Sequence, residues 1–484
     1  MLDQSQAPLL TAAQNYLDVH HVPFYMPGHK RGQGIDPALR DLLGEAVFRL
    51  DLPEMPDLEA PLELAQHLAA NAYGVDRTWF LVNGSTCGVE ALVLAVCGSG
   101  DQILVGRNCH RSLLSGLILA GAEPIYLPTA YDPVWDLDLG VQSDTVAAML
   151  RQYPRAKAVF VVSPNYFGVC GDIQALADIC HDHGVPLLVD GAHGAHLGFH
   201  PDLPPSPMQL GADGVVQSTH KVASGMTQAS MLHIQGNLID PERVSQALQL
   251  LQSTSPNFLL LLSLDVARRQ LATAGKTVLG NTLALAHQAR TEINQLAELR
   301  SFGPTDIPNL DPTRLTIMTS DLGITGFQAD GFMIEKANII PEMATLSQLV
   351  FILSLGNTAA DIEQLIDGCK MLTQYRHVPP HQTLVAPLTL QDHPIQQAMS
   401  PRYAYFQPAE TVPIQKAIGR VSAEWICPYP PGIPIIALGE VITAPVLQYL
   451  AQIQAAGGVL RGAADNSLQT MRVVKSNQIT PTMQ

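Results

Sequence analysis

The stretch VPLLVDGAHGAHLGFHPDLPPSPMQLGADGVVQSTHK, residues 185–221, carries the strongest structural signal in this chain. It holds two short apolar runs, VPLLVD (185–190) and GVVQST (214–219), separated by a Gly- and Pro-containing segment. Apolar, β-branched runs of this length predict buried strands. Asp190 ends the first run and Lys221 follows the second. Since the carboxyl ends of strands border the ligand crevice of an open α/β sheet, both side chains are candidates for a site.

The same pattern extends in both directions from this stretch. Apolar runs alternate with amphipathic helical patterns such as CGVEALVLAV (87–96), and this predicts a mostly parallel sheet covered by helices on both faces. The last step, from GVVQST to ASMLHI, is too short for a helical crossover and predicts a locally antiparallel strand. The seven predicted strands are TWFLV (78–82), DQILV (101–105), EPIYL (123–127), KAVFVV (157–162), VPLLVD (185–190), GVVQST (214–219) and ASMLHI (229–234).

The chain has 484 residues, which is too long for one compact domain. We predict an N-terminal segment with a large domain over residues 1–300 and a smaller α/β domain over 301–380. The smaller domain would contain the strands LTIMT (315–319) and LVFILSL (349–355). A proline-bearing linker and a C-terminal domain would fill residues 381–484.

Composition excludes several classes of protein. With 47% hydrophobic and 14% charged residues, the chain can bury a large core, and the formal net charge of −16 argues against nucleic-acid binding. The longest apolar run, FLLLLSL (258–264), is too short to span a bilayer, and the N-terminus shows no signal peptide. Seven scattered cysteines without CxxC spacing fit reduced thiols. We therefore expect a soluble, cytoplasmic protein without membrane or nucleic-acid partners.

Lys221 and Asp190 together suggest chemistry with pyridoxal 5′-phosphate (PLP). A lysine at an apolar strand end loses hydration, which lowers the pKa of its amine and makes the amine a better nucleophile for an aldehyde cofactor. A carboxylate at a neighbouring strand end can keep the pyridine nitrogen of that cofactor protonated. Taken singly, each residue also has a plain structural reading. Lys221 could simply reach solvent, and Asp190 could cap a turn.

Two further segments could serve the same cofactor. NGSTCG (83–88) follows a predicted strand and opens a helix, so Ser85, Thr86 and free backbone N–H groups could hold a phosphate. His110 follows the strand DQILV and could stack on a flat ring. The structural alternatives are an ordinary helix cap in the first case and a hydrogen-bonded histidine at a helix start in the second.

A metal site is an alternative reading of DGAHGAH (190–196), which has a carboxylate and two imidazoles at short intervals. The segment leaves a strand into a Gly/Ala-rich turn, however, whereas two histidines that bind zinc in an HExxH motif share one helix face. Pairing Asp190 with Lys221 explains more of the sequence. We therefore expect no metal.

The ordered motifs resemble those of the PLP-dependent ornithine/lysine/arginine decarboxylases. The resemblance implies a PLP-dependent transferase fold of type I in a short form, without the N-terminal wing domain of larger members. It also implies the cofactor PLP and a homodimer or larger homo-oligomer. The matching segments are PFYMPGHKRG (23–32), LVNGSTCG (81–88), GRNCHRS (106–112), VDGAHGAH (189–196), QSTHK (217–221), STSP (253–256), LGITGF (322–327) and AEWICPYPPGIPIIALGE (423–440).

The resemblance also implies a role for each matching residue. Lys221 would bind the cofactor covalently, Asp190 would pair with its ring nitrogen and His110 would stack on its ring. The phosphate would be held by Ser85, Thr86, Ser218 and His220.

Four more residues take less specific roles from the resemblance. His193 would lie beside the cofactor ring, and His220 or Lys221 would give a proton to Cα of the product. Ser253 or Thr254 would reach the phosphate of the neighbouring subunit. Glu424 would bind the cationic end of the substrate, because a buried cation needs a paired charge.

The implied reaction is decarboxylation of a basic amino acid to agmatine, cadaverine or putrescine. Arginine is placed first because short members of the family are often arginine decarboxylases. One alternative is an aminotransferase on the same fold, in which Arg314 or Arg420 would grip the α-carboxylate. Another is a catalytically silent homologue that binds PLP or polyamines as a regulator.

Overall fold

A computed structural model describes residues 2–52, 58–375, 396–430 and 432–475. Its centre is a seven-stranded sheet in the order β1-β9-β8-β7-β6-β2-β3, and β4 and β5 form a separate antiparallel pair. The strands are β1 Arg77–Leu81, β2 Gln102–Gly106, β3 Glu123–Leu127, β4 Thr129–Asp132, β5 Leu137–Val141, β6 Val159–Val162, β7 Leu187–Asp190, β8 Gly214–Gln217 and β9 Ser230–Ile234.

The pairing within the sheet confirms the predicted topology. Strands β3, β2, β6, β7 and β8 are mutually parallel, while β9 runs antiparallel to both β8 and β1. The connection from β8 to β9 is too short to cross the sheet, as the sequence predicts. All seven predicted strands are present, and the carboxyl ends of the parallel strands meet at one edge.

Helices cover both faces of this sheet, which explains why its strands are apolar without interruption. Leu187 and Val189 pack into one hydrophobic cluster, whereas Leu188 packs into the cluster on the opposite face. The helices up to the end of this part of the chain are α1 Pro8–Asp18, α2 Pro37–Leu43, α3 Glu45–Leu50, α4 Glu59–Tyr73, α5 Gly84–Val96, α6 Arg111–Ala120, α7 Ser143–Gln152, α8 Ile173–Asp182, α9 Thr219–Val222, α10 Pro241–Leu251 and α11 Phe258–Ile293.

A smaller α/β unit follows. Its antiparallel sheet, in the order β10-β12-β11, packs against the end of α11 through Ala286, Ala289 and Ile293. Because the 36-residue helix α11 belongs to both cores, the predicted boundary at residue 300 stays a prediction. The elements are β10 Arg314–Met318, the 3₁₀ helix Ser320–Leu322, α12 Gly326–Ala337, β11 Met343–Ala344, β12 Gln348–Ile352 and α13 Ala359–Gln374.

The C-terminal unit consists of two small antiparallel pairs, β13 with β16 and β14 with β15. Residues 376–395, most of the predicted linker, lie outside the described residues. No helix in the described ranges is long and apolar enough to cross a membrane. The elements are α14 Pro401–Phe406, β13 Ala409–Pro413, α15 Ile414–Ala417, β14 Cys427–Pro428, α16 Ala444–Ala455, β15 Leu460–Arg461 and β16 Thr470–Val474.

Candidate active site

Lys221 lies at the carboxyl edge of the sheet, in the single-turn helix α9 that follows β8. Its Nζ is 3.1 Å from His193 Nε2 and 5.4 Å from the centre of the Tyr166 ring. Burial lowers the pKa of the Lys221 amine, and the positive charge of Arg314 acts in the same direction against the carboxylates of Asp190 and Glu342. A larger share of the amine is therefore neutral and nucleophilic than in water.

Asp190 ends β7, directly beside β8, and is only 6% exposed. Its Oδ1 accepts a hydrogen bond from the Ala192 amide at 3.1 Å. Burial raises the pKa of this carboxyl, and both Lys221 and the Ala192 amide oppose that rise. A buried negative charge with a single hydrogen bond is costly, and a cationic group of a ligand beside it would lower that cost.

His110 and His220 stand at the same edge, and their hydrogen bonds fix their tautomers. His110 caps helix α6 and accepts from the Ser112 amide through Nδ1, so its proton is on Nε2. Burial lowers the pKa of His110 to about 4, and Lys221 and Arg111 add to this effect. His220 Nδ1 is 3.0 Å from the Ala229 carbonyl, which can only accept, so Nδ1 carries the proton and Nε2 has the lone pair.

Hydroxyl groups and a helix N-terminus meet where the phosphate site is predicted. Ser85 and Thr86 lie in the first turn of α5, whose N-cap residue Asn83 makes no capping bond with its side chain. Ser218 Oγ donates to Ser85 Oγ at 2.8 Å. Among the residues that the structure describes, the buried Thr219 hydroxyl, next along the chain, has no hydrogen-bond partner. Hydroxyls and the free N–H groups at a helix start are donors that suit an anion.

Ser253 and Thr254 lie just beyond α10, and both are exposed. Ser253 Oγ accepts from the amide of Ser255 at 3.1 Å. The preceding residue, Gln252, accepts a hydrogen bond from the Val82 amide at 2.9 Å, so the segment lies close to the carboxyl edge of the sheet. The reach of Ser253 or Thr254 into a neighbouring subunit stays a prediction.

Glu424 lies inside the C-terminal unit and is 6% exposed. Its carboxylate oxygens accept from the Ala464 amide at 2.9 Å and from the Arg472 amide at 3.1 Å. Burial raises the pKa of this carboxyl, and the two amides oppose that rise. Both oxygens thus already accept hydrogen bonds from the backbone. The contact of Glu424 with substrate stays a prediction.

The two arginines considered for an α-carboxylate are both engaged elsewhere. Arg420 donates to Glu410 at 2.7 Å and to the Val474 carbonyl at 2.8 Å, within the C-terminal unit. Arg314 is fully buried and donates to the His193 carbonyl at 3.0 Å. It therefore lies behind His193 as seen from Lys221.

The C-terminal block packs against the carboxyl edge of the sheet. Arg107, just after β2, donates to the carbonyls of Pro434 and Ile435 and forms an ion pair of 3.3 Å with Glu440. A Cβ placed on Gly432 would lie 3.3 Å from His110 Nε2, so this turn of the chain lies against the imidazole. The sequence resemblance includes this block, but spacing alone could not place it at His110.

Tyr166 and Glu342 are the site residues that sequence reasoning missed. The ring of Tyr166 is 4.4 Å from that of His193, and Glu342 interacts electrostatically with Lys221 and Arg314. Tyr166 follows β6, so the strand-end rule that selected Asp190 could have found it as well. Glu342 precedes the two-residue strand β11, which the sequence does not reveal.

The histidines of residues 190–196 contact different partners. His196 forms an ion pair of 3.1 Å with Asp311, and His193 faces Lys221. Within the described ranges, no group of three or more His, Cys, Asp or Glu side chains is arranged to hold a metal ion.

Comparison with known proteins covers nearly the whole chain. Residues 7–311 match the family described as the Orn/Lys/Arg decarboxylase major domain, and residues 388–466 match its C-terminal domain. The arginine decarboxylase of Bacillus anthracis is 37% identical over 98% of this chain and 98% of its own length. That of Bacillus subtilis is 36% identical over 99% of both.

Solved structures agree on the fold. The constitutive lysine decarboxylase of Escherichia coli superposes with a TM-score of 0.81 at 20% identity, covering 98% of this chain and 82% of that chain. This likeness confirms the type I fold with its additional C-terminal domain. The matches over the major and C-terminal domains, and 37% identity over 98% of the chain, show that this protein belongs to the ornithine/lysine/arginine decarboxylase family.

Proposed function

We propose that this chain is a PLP-dependent arginine decarboxylase, which converts arginine to agmatine and CO₂. The observation that carries the proposal is the half-buried amine of Lys221, 3.1 Å from His193, at the sheet edge where the buried Asp190 ends the neighbouring strand. A lysine and a carboxylate in this relation are what an aldehyde cofactor with a pyridine ring requires.

The residues at this edge fit PLP. The partnerless hydroxyl of Thr219, the Ser218–Ser85 pair and the N-terminus of α5 suit a phosphate, and the incompletely compensated Asp190 suits a protonated ring nitrogen. Lys221 would hold the aldehyde carbon covalently, and the His110 and His193 imidazoles would flank the ring. The Thr86 hydroxyl would complete the phosphate contacts, and His220 would join them when Nε2 is protonated, since its Nδ1 proton is donated to the Ala229 carbonyl.

When bound, PLP supplies an electron sink for the electron pair released as CO₂ leaves. The chain's own groups prepare that step. Asp190 would keep the ring nitrogen protonated, because its buried negative charge is stabilised by a cation beside it. His110 is neutral near pH 7, since its pKa is about 4, and can stack without adding charge to the ring. Two groups are candidates for passing a proton to Cα: the amine of Lys221, and His220 Nε2, whose lone pair can first accept the proton.

The choice of arginine rests on the relatives. Several proteins at 36–37% identity across the chain are named arginine decarboxylases, whereas those named for lysine or ornithine are 24–25% identical. Glu424 is our candidate for binding the guanidinium, and its two oxygens also accept hydrogen bonds from backbone amides. An aminotransferase is disfavoured because Arg420 is paired with Glu410 and Arg314 is buried behind His193.

The proposal includes a homodimer in the cytoplasm. Large apolar side chains near the N-terminus are exposed in the single chain, with Phe24 93% and Leu42 78% exposed, and they would gain from burial against a second copy. Ser253 and Thr254 are also exposed and could reach a partner's site. All seven cysteines are free, which suits a reducing compartment.

An amine-product assay tests the function. The purified protein is incubated with added PLP and, separately, with arginine, lysine and ornithine, and both CO₂ and the amine are measured. We expect agmatine and CO₂ in equal amounts from arginine. Formation of a keto acid without CO₂ would favour an aminotransferase, and absence of turnover on all three would favour a silent regulator.

A further inference from the structure

A buried chain of polar contacts runs from Lys221 into the smaller α/β unit. Lys221 Nζ faces His193 Nε2 at 3.1 Å, and on the other side of the same imidazole Arg314 Nη2 is 3.4 Å from Nδ1. Arg314 in turn forms an ion pair of 3.7 Å with Asp311, which also pairs with His196 at 3.1 Å. Arg314, Asp311 and the ring of His193 are all excluded from solvent.

Hydrogen-bond chemistry leaves one tautomer of His193 compatible with this arrangement. A guanidinium has donors and no acceptor, so Arg314 donates to the His193 carbonyl at 3.0 Å and to Nδ1 at 3.4 Å. Nδ1 must therefore carry a lone pair. Burial lowers the pKa of His193 well below its usual value, and Lys221 and Arg314 add to this, so the ring is neutral. Its single proton is then on Nε2, the nitrogen that faces Lys221.

The Nε2 proton can be donated to Lys221 only when the amine is neutral and has a lone pair. We propose that Arg314 is a positioning residue that fixes this tautomer of His193, so that the imidazole donates to the free amine of Lys221 and stabilises its nucleophilic form. The inference deepens the proposed function, in which that amine is the nucleophile. Arg314 does not itself contact the amine.

Arg314 is held firmly enough for this task. Its guanidinium donates to Thr313 Oγ1 at 3.3 Å and lies 3.7 Å from the carboxylate of Asp311. Thr313 Oγ1 in turn donates to Asp311 at 2.7 Å. Gly168, at a φ of +86°, lies against the stem of the arginine, because a Cβ there would be only 2.8 Å from Arg314 Cγ. A guanidinium enclosed in this way keeps its direction, and therefore keeps the imidazole in one tautomer.

The pKa of Lys221 depends on charged groups from several elements of the fold, and Arg314 is one of those that lower it. Burial and Arg314 lower the pKa of the amine, whereas Asp190 and Glu342 raise it. Loss of Arg314 removes both its charge and the tautomer it imposes, and each loss raises the pKa of Lys221. The titratable and charged groups around Lys221 are Asp190, His193, His110, His220, Tyr166, Arg314 and Glu342.

Competitive labelling tests the inference without cofactor or substrate. The full-length chain, freed of cofactor, is pulsed with acetic anhydride across a pH series, and the modification rate of Lys221 is read by mass spectrometry. In Arg314→Met we expect the rate at pH 7 to fall about tenfold, which corresponds to a rise of one pKa unit. Arg420→Met, which removes an arginine paired within the C-terminal unit, is the matched control and should leave the rate unchanged.

Three more variants separate positioning from charge and from misfolding. Arg314→Lys keeps a cationic donor and should restore the rate to within about threefold of the original. His193→Phe removes the donated proton and should lower the rate by itself. In that background, Arg314→Met should have a clearly smaller effect, because the two residues act in series. Two outcomes would overturn the inference. One is an equal effect of Arg314→Met in the original chain and in His193→Phe. The other is a labelling curve of Arg314→Met that superposes on that of the original chain. Since no turnover is measured, a wrong substrate assignment would not alter these results.

Discussion

The two halves of the candidate site are built differently. The half proposed for the cofactor comes from consecutive strand ends of one sheet, with Asp190 after β7 and Lys221 after β8. The half proposed for the substrate's cationic end comes from the C-terminal unit, where Glu424 is held by the amides of Ala464 and Arg472. Topology alone brings the first group of residues together. The second depends on how separate units pack, so its chemistry is harder to infer from the chain.

The largest effect is expected at the residue that anchors the first half. Lys221→Ala removes the amine that would hold the cofactor, and turnover should fall at least about a thousandfold, together with the visible absorbance of the bound cofactor. Amine production and absorption spectra measure both. The exposed Lys416 provides the control as Lys416→Ala. Near-normal turnover in Lys221→Ala would show that Lys221 does not hold the cofactor.

The second test asks whether Asp190 acts through its charge. Asp190→Asn keeps the shape but cannot hold a proton on the ring nitrogen, so kcat should fall roughly 10²- to 10³-fold. Asp213→Asn is the matched control, because Asp213 precedes β8 at the opposite edge of the sheet and bonds to His181 at 2.9 Å. Steady-state kinetics with arginine are the measurement, and equal losses in the two variants would contradict a specific role for Asp190.

The third test addresses the substrate half. Glu424→Gln places an NH₂ group against one of two backbone N–H groups, and we expect a loss of about 1–3 kcal/mol in unfolding free energy. If the carboxylate also binds the guanidinium, KM for arginine should rise about tenfold with little change in kcat. Denaturant melts and kinetics separate the two effects. Lower stability with an unchanged KM would exclude Glu424 from substrate binding.

The smallest effect is a dependence of stability on pH that arises at the carboxyl edge of the sheet. Folded His110 titrates near pH 4, whereas a free histidine titrates near 6.5, so between these values the unfolded chain binds a proton that the folded chain does not. The free energy of unfolding therefore falls as the pH drops through this window, by up to about 1.4 kcal/mol per pH unit from this group.

Replacing the histidine tests this linkage. In His110→Gln the decline between pH 6.5 and 4.5 should be shallower by about one proton, as measured by urea unfolding at several pH values. His67→Gln, at an exposed position on helix α4, is the control. An unchanged slope in His110→Gln would mean that His110 is not buried in solution as it is in the structure.

The sequence predicts which residues meet at the carboxyl edge of the sheet, because each of them follows an apolar run that forms a strand. The apolar runs before Asp190 and His110 predict both strands, and the short step after Lys221 predicts the antiparallel edge. The same rule applied to KAVFVV would have included Tyr166. Strand ends thus predict the positions of Asp190 and Lys221, whereas the place of His193 came from the family resemblance.

The rest depends on contacts between units that are distant in sequence. Arg314 reaches His193 across 121 residues, and Gly432 lies against His110 from more than 300 residues away. No local period or spacing encodes such approaches. Glu342 precedes a strand of only two residues, which no periodicity can reveal. For Glu424, the sequence shows a carboxylate but not the two backbone amides that donate hydrogen bonds to it.

The approach of Gly432 to His110 restricts which residues each position can accept. Gly432 has a φ of +88°, a backbone conformation that L side chains rarely adopt, and an added Cβ would lie 3.3 Å from His110 Nε2. A larger residue at either position would therefore push against the other. In a library randomised at both positions and selected for turnover, we expect the two to change together or to stay as they are.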